Sequence, residues 1–180
     1  MSTKRHQEEA LLFVGALYAS PEICDRLLPE LEYHFGSTLL ESPVMSWDHS
    51  QYYSDELGMP ISRRFIFFER LIDASLLPEI KVLTDEIECR NLTDGKRQIN
   101  LDPGYLTEAK VILASTKNYS HRIYLGRGIY AEQEYIFSKG SYQPLSHTYT
   151  DYRKPEYLSI FIQARRRFRD LLSARRVAAV

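Results

Sequence analysis

Three features of this 180-residue chain predict an α+β fold built mainly on an antiparallel sheet. In the first hundred residues, apolar runs of strand length alternate with two helical repeats. Short β-rich segments separated by glycine turns follow, and an amphipathic helix closes the chain. The length fits one domain and excludes two full-sized domains each with its own core. With 44% hydrophobic residues, 26% charged, 8 Gly and 8 Pro, the composition excludes extensive disorder and can fill a sizeable core.

Leu11 to Ala19 is nearly continuously apolar, which predicts a buried strand, and Ser20-Pro21-Glu22 then starts a helix. Ile23, Leu27, Leu31 and Phe35 keep helical spacing as far as Gly36, with Pro29 predicting a kink or a restart. Leu39 to Trp47 predicts a second strand and Arg64 to Leu71 a third. Pro78 opens a second helix with Ile80, Leu83 and Ile87 on one face, and Asp94-Gly95 marks a turn before a strand from Arg97 to Leu101. This order, β-α-β-β-α-β, is that of a ferredoxin-like unit over residues 10–104. Residues 105–180 add a short amphipathic segment from Thr107 to Ala114, then hairpins from Arg122 to Leu145 and a terminal helix from Pro155. The expected architecture is one domain over residues 1–180, with helices on one face of the sheet.

The net charge is −1, but residues 153–180 carry +6 and the remainder −7. In the terminal helix Tyr157, Phe161, Ala164, Phe168 and Leu171 form a core-docking stripe, flanked by Arg165, Arg166, Arg169 and Arg176. Such a flank is either a solvated face or a basic stripe for nucleic acid. Cys24 and Cys89 both fall in helical segments and read as small buried hydrophobes. Two cysteines support neither a disulfide framework nor a four-cysteine zinc site, so a cytoplasmic location is expected. Lys4, Arg5 and the apolar run after them imitate a signal peptide, but Glu8 and Glu9 contradict one, and no run is long enough to span a membrane.

Several polar motifs interrupt the apolar scaffold. They are Asp48-His49-Ser50-Gln51-Tyr52-Tyr53 with Glu56-Leu57-Gly58, Asn100 to Tyr105, Thr116-Lys117 with His121 to Leu125, Gly128 to Glu132, and Thr148 to Tyr152. Together these resemble an uncharacterised bacterial and archaeal family of unknown function, whose members often carry the automatic label "GTP-binding protein". The resemblance runs from about Leu11 to Phe168. The chain departs from that family's pattern at Ser50 for Thr, Asn118 for Asp, His147 for Trp and Thr150 for Pro. It implies a shared fold and carries no established activity.

The residues themselves argue against a GTPase. A P-loop needs glycines and a Lys-Ser or Lys-Thr pair around the phosphates, whereas the nearest segment, Gly104 to Lys110, has Ala109 and Val111 at the required glycine and hydroxyl positions. Thr116-Lys117 imitates a guanine-reading motif, but Tyr119 stands where the acid should be. Lys117, His121, Arg122 and Arg127 instead form a candidate anion site, to which Tyr52 is added as a binding residue. The alternative is that His121 and Arg122 pair with Glu132, Glu134 or Asp102. His49, Asp102, His121 and Glu132 are the candidate catalytic set, suited to acid–base chemistry. With Asp48 they also supply metal-ligand types, although no dense metal motif occurs. Asp102-Pro103-Gly104 reads as a tight turn.

The leading expectation is a protein that binds, with turnover left open, a small anionic ligand such as a phosphate ester or nucleotide. The alternative is an interaction module that presents a Tyr-rich sheet and the Arg-rich helix to RNA or a protein. The sequence names no cofactor and no oligomeric state. Because no guanine-reading motif is intact, GTP should bind no more tightly than ATP. Calorimetry showing strong, magnesium-dependent, GTP-selective binding would overturn that expectation.

Overall fold

The computed structural model describes residues 9–49 and 51–178, so the signal-peptide reading of residues 1–8 and the departure at Ser50 lie outside the described residues. The elements are β1 (Glu9–Tyr18), α1 (Pro21–Phe35), β2 (Thr38–Glu41), β3 (Met45–Trp47), α2 (Gln51–Leu57), β4 (Ile61–Asp73), α3 (Leu77–Arg90), β5 (Leu92–Thr93), β6 (Lys96–Arg97), β7 (Ile99–Leu106), β8 (Lys110–Ser115), β9 (Ile123–Gly126), β10 (Ile129–Ser138), β11 (Ser141–Pro144) and α4 (Pro155–Ala178). The main sheet has nine strands and runs β11-β10-β8-β7-β1-β4-β2, with β3 paired to β4 and β9 to β10. Within it β7-β1-β4-β2 are antiparallel throughout, and β4 is inserted between β1 and β2. That antiparallel arrangement, with helices beside it, is the α+β class expected from the sequence.

β1 occupies the centre, and every residue from Ala10 to Tyr18 is buried. Side chains alternate across a strand, so a strand buried along its whole length needs cover on both faces. Leu12, Val14, Ala16 and Tyr18 pack with Ile23, Leu27 and Leu31 of α1 and Ile80 and Ile87 of α3. Leu11 and Phe13 pack instead with Tyr157, Phe161 and Phe168 of α4. The expectation of helices on one face is therefore corrected: α1 and α3 share a face, while α4 covers the other. The unbroken apolar run of β1 already required this.

Other differences have local causes. The strand expected from Leu39 to Trp47 is two strands, because Pro43 has no N–H to donate and stops the ladder. At the break the Ser42 hydroxyl stands in for a strand carbonyl, accepting from the Phe65 N–H at 2.9 Å. Pro29 neither ends nor divides α1, which continues to Phe35. The Thr107 to Ala114 segment becomes a turn and β8. Helix α2 forms where the sequence showed only a polar cluster, and Leu57 and Tyr53 seat it on Trp47, Leu17 and Ile61.

The terminal helix separates structural from solvated residues differently than its charge run implied. Phe161 is fully buried and meets the rings of Phe13, Phe65 and Phe67 at centroid distances of 4.9, 5.2 and 5.4 Å. Arg165 is not a solvated flank residue: its guanidinium carbon lies 3.5 Å from the Phe137 ring centre, and Nε donates to the Glu108 carbonyl. Arg166 is exposed. Phe161→Ala should cost roughly 3–5 kcal/mol. Arg165→Ala should cost about 1–2 kcal/mol, and Arg166→Ala no more than ~0.5 kcal/mol. Urea unfolding of the three variants checks this order.

Candidate functional site

The site follows from one proline in the middle of a strand. Pro103 is not in a tight turn, as the sequence reading had it, but lies inside β7 opposite Val14 of β1. The backbone groups of alternate strand residues point to the same side. Thr107 N–H bonds the Lys110 carbonyl, so the polar groups of Leu101, Pro103 and Tyr105 face the β8 side of the strand as well. β8 pairs with β7 at Gly104, Tyr105 and Leu106. At Pro103 there is no N–H to offer, and the two strands part.

The parting leaves Leu101 with an N–H and a carbonyl that no strand satisfies, and both must find partners if buried. Two side chains of α3 supply them. Glu88 Oε1 accepts from Leu101 N–H at 2.5 Å, and Lys81 Nζ donates to the Leu101 carbonyl at 2.9 Å. Glu88 and Lys81 thus act as a substitute for a strand. Gly104 marks the point of closest approach: a Cβ there would lie 2.4 Å from the Ile112 carbonyl oxygen and from the Phe13 ring.

Beside the parted strands opens a cleft of about 740 Å³. Arg63 of β4 forms part of its floor and is almost completely buried, with Asp151 at 3.3 Å and Asp102 at 3.7 Å. Gly15 makes room for this guanidinium, since a Cβ would stand 2.9 Å from Nη1. Burial lowers the Arg63 pKa, but the surrounding Tyr152, Asp151, Tyr157 and Asp102 outweigh it and hold the group above its ordinary value. Trp47 Nε1 donates to Asp151 at 2.9 Å, and Asn100 Nδ2 donates to Asp102 at 2.7 Å. Even so, Nε and Nη1 of Arg63 make no well-formed hydrogen bond among the described residues, the Tyr157 hydroxyl being near the guanidinium without such geometry.

The other buried ionic groups depart from ordinary behaviour for identifiable reasons. Burial raises the Glu88 carboxyl to about 7, against the opposing pull of Lys81, the Leu101 N–H and Arg97. Lys81 is depressed by burial, but Asp102, Glu88 and Asp85 more than restore it. Glu134 is the extra residue of a bulge in β10, between Gln133 opposite Ile112 and Tyr135 opposite Val111. It is fully buried, and burial together with the neighbouring Glu132 raises its carboxyl to about 9. Its Oε2 accepts from Tyr149 N–H at 3.2 Å, and Oε1 has no hydrogen-bond partner among the described residues.

The residues singled out in the sequence divide into three groups. His49, Asp102, Tyr52 and Lys117 line the cleft. His121, Arg122 and Glu132 do not; they close on one another. His121 Nε2 and Arg122 Nε reach the two oxygens of Glu132 at 2.8 and 2.7 Å, which is the pairing held out as the alternative. The His147 ring stacks on His121 at 4.4 Å. Arg122 also donates to Ser115 Oγ, to the Lys117 carbonyl and to the Tyr149 hydroxyl, so it ties together three residues of the cleft wall. Arg127 sits in the β9–β10 turn and pairs with Glu79 at 3.2 Å, outside the cleft lining.

Sequence reasoning missed Arg63, Lys81, Glu88 and Asp151. Lys81, Thr84 and Glu88 lie at i, i+3 and i+7 beside the apolar face of α3, a polar stripe that should have signalled a buried role. Adjacent Arg63 and Arg64 in a strand must point to opposite faces, and both faces of this sheet are covered. Cys89 is a further correction: it is exposed and lines the cleft, unlike buried Cys24. Among the described residues no group of three or more His, Cys, Asp and Glu side chains could hold a metal ion. No helix among them is long and apolar enough to cross a membrane.

Fold and site together define an α+β protein whose antiparallel sheet opens beside a charged, aromatic-walled cleft. The chain matches the domain of unknown function DUF4416 over residues 8–168, and it belongs to that family. No curated protein and no solved structure matches it.

Glu134 sets a pH dependence. Its folded pKa lies above the ordinary 4.5, so the native state retains a proton that the unfolded chain releases. The corresponding stability is fully present below about 4.5 and is lost as pH rises toward about 9. Glu134→Gln keeps a carbonyl for Tyr149 N–H and removes the ionisable group. The variant should therefore melt higher than the native protein at pH 9, and lose less stability between pH 7 and 9. Melting curves across that range check the sign; Glu88 adds a similar slope that ends near pH 7.

Proposed function

We propose that this protein binds a small anionic ligand, of the phosphate-ester class, in the cleft between β7 and β8, with Arg63 and Lys117 as its cationic receptors. The observation that carries the reading is the state of Arg63. A buried donor without a partner costs about 1–3 kcal/mol, more when charged, and an entering oxyanion would recover that loss. Asp102 and Asp151 neutralise the guanidinium, yet leave Nε and Nη1 without hydrogen bonds. Lys117 adds a cation at the exposed wall, where its ammonium group lies over the Tyr52 ring.

His49 and Asp102 face the same space and are the groups for proton exchange with a bound molecule. The nucleic-acid alternative has less support. Tyr18, Tyr135, Tyr142, Tyr152 and Tyr157 are core residues rather than a stacking platform, and Arg165 is committed to Phe137 and Glu108.

Calorimetric titration with inorganic phosphate, pyrophosphate and glycerol 3-phosphate tests the reading. Lys117→Ala should weaken binding by about tenfold, the equivalent of ~1.4 kcal/mol, without lowering the melting temperature. Cys89 supplies an independent report, because it is the exposed thiol and borders the cleft. Bound ligand should slow its alkylation. Absence of binding by all three anions at millimolar concentration, with Cys89 reactivity unchanged, sinks the proposal.

A further inference from the structure

Lys117 and Tyr52 belong to opposite sides of the cleft wall, Lys117 in the loop after β8 and Tyr52 on α2. Lys117 Nζ lies over the Tyr52 ring at 4.9 Å from its centre. Helix α2 is held in place from below. Arg97 grips Glu56 through Nε and Nη2 at 2.7 and 2.6 Å, and Lys96 Nζ donates to the Asp55 carbonyl. The partner loop is held too, since Arg122 fixes the Lys117 carbonyl at 2.7 Å. Backbone positions on both sides are thus set, and what a ligand can rearrange is the ammonium group on its flexible stem.

Further rings continue the wall. Trp47 and Tyr53 meet edge to face at 5.4 Å, Tyr53 meets Tyr52 edge to face at 5.2 Å, and Tyr149 lines the cleft as well. Tyr52 is 59% exposed. An ammonium resting on a ring is a weakly held cation that an oxyanion attracts more strongly. Drawing Lys117 away uncovers the part of the Tyr52 ring on which it lay. An aliphatic anion leaves it so, whereas an anion attached to a planar ring takes the cation and covers the vacated face by stacking.

We infer that the ligand class of the cleft is a planar aromatic anion, its ring on Tyr52 and its charged substituent on Lys117. This inference rests on the anion-binding reading of the same cleft and adds the aromatic requirement.

The protein has a single tryptophan, Trp47, and it lines the cleft, so its fluorescence reports occupancy directly. Phenyl phosphate and glycerol 3-phosphate are phosphate monoesters of similar charge that differ in the ring. Phenyl phosphate should bind at least tenfold more tightly, read by tryptophan fluorescence and calorimetry. Tyr52→Ala should reduce that preference to within about twofold, while Tyr52→Phe, which keeps the ring face, should retain it. Equal binding of the two esters by the native protein overturns the aromatic inference and leaves anion binding standing. A preference that survives in Tyr52→Ala overturns the assignment of the ring to Tyr52. Failure of both esters and of inorganic phosphate to bind removes the parent reading and this one with it.

Discussion

A sheet can continue only where each strand offers its neighbour a donor and an acceptor, and Pro103 withholds a donor in the middle of β7. The rest of the site depends on that omission. A proline is tolerated deep inside a sheet because its missing N–H points toward the side where pairing stops. β1 still pairs with β7 along its whole length, from Leu11 opposite Leu106 to Tyr18 opposite Ile99, so the core is continuous on one edge of the strand and open on the other. Lys81 and Glu88 then satisfy Leu101 as a neighbouring strand would. The sheet is opened at small cost because the exposed backbone has been given other partners.

Opening the sheet brings charge into its interior, and the arrangement of that charge is alternating. Arg63 stands between Asp151 and Asp102, and Lys81 between Asp102 and Asp85. Glu88 stands between Lys81 and Arg97. Removing one partner from such a chain leaves an uncompensated buried charge, so each group depends on the next. Asp102 is shared by both cations, which makes it the member that links β4, α3 and β7. The chain is balanced in sign but unequal in hydrogen bonding. Arg63 keeps two donor nitrogens without a hydrogen bond among the described residues, and the proposed anion binding rests on that inequality.

Legibility in the sequence followed the physics of each signal. The α+β class could be read because hydrophobic periodicity and turn residues act locally, whereas α2 and the division of the second strand could not. The two-sided cover of the sheet is latent in the apolar run from Leu11 to Ala19, since a strand apolar at every position needs cover on both faces. Pro103-Gly104 was misjudged for a reason of context. Proline followed by glycine ordinarily marks a turn, and only the pairing of β7 with both β1 and part of β8 makes it a strand interruption. His49, Tyr52, Asp102 and Lys117, which line the cleft, stood out in the sequence because polar clusters contrast with an apolar scaffold. Arg63, Lys81 and Glu88 did not, because each stands among other charged residues of β4 or α3 from which sequence alone does not separate it. Their partners on other strands and loops lie 13 residues away for Glu88, 20 for Lys81 and 88 for Arg63, and only the fold brings them together.

The His121, Arg122 and Glu132 group illustrates how a correct grouping can carry a different role. The sequence placed these residues together, and they do meet, but around each other. Glu132 is buried between a histidine and an arginine, so both are occupied and neither is aimed at the cleft. Arg122 nevertheless reaches Ser115, Lys117 and Tyr149, which all line it. Its planar fork gives several donors at fixed angles, a geometry a lysine could not reproduce. The loop that carries Tyr149 and Asp151 is fastened by the same neighbourhood, through Tyr149 N–H on Glu134 and the Thr148 hydroxyl on the Glu134 carbonyl. The bulge in β10 makes that possible by turning an extra residue inward at the position where the loop crosses. Two departures from regular strand geometry, a proline in β7 and a bulge in β10, thus form the cleft: the first opens it, and the second anchors the wall that lies over it.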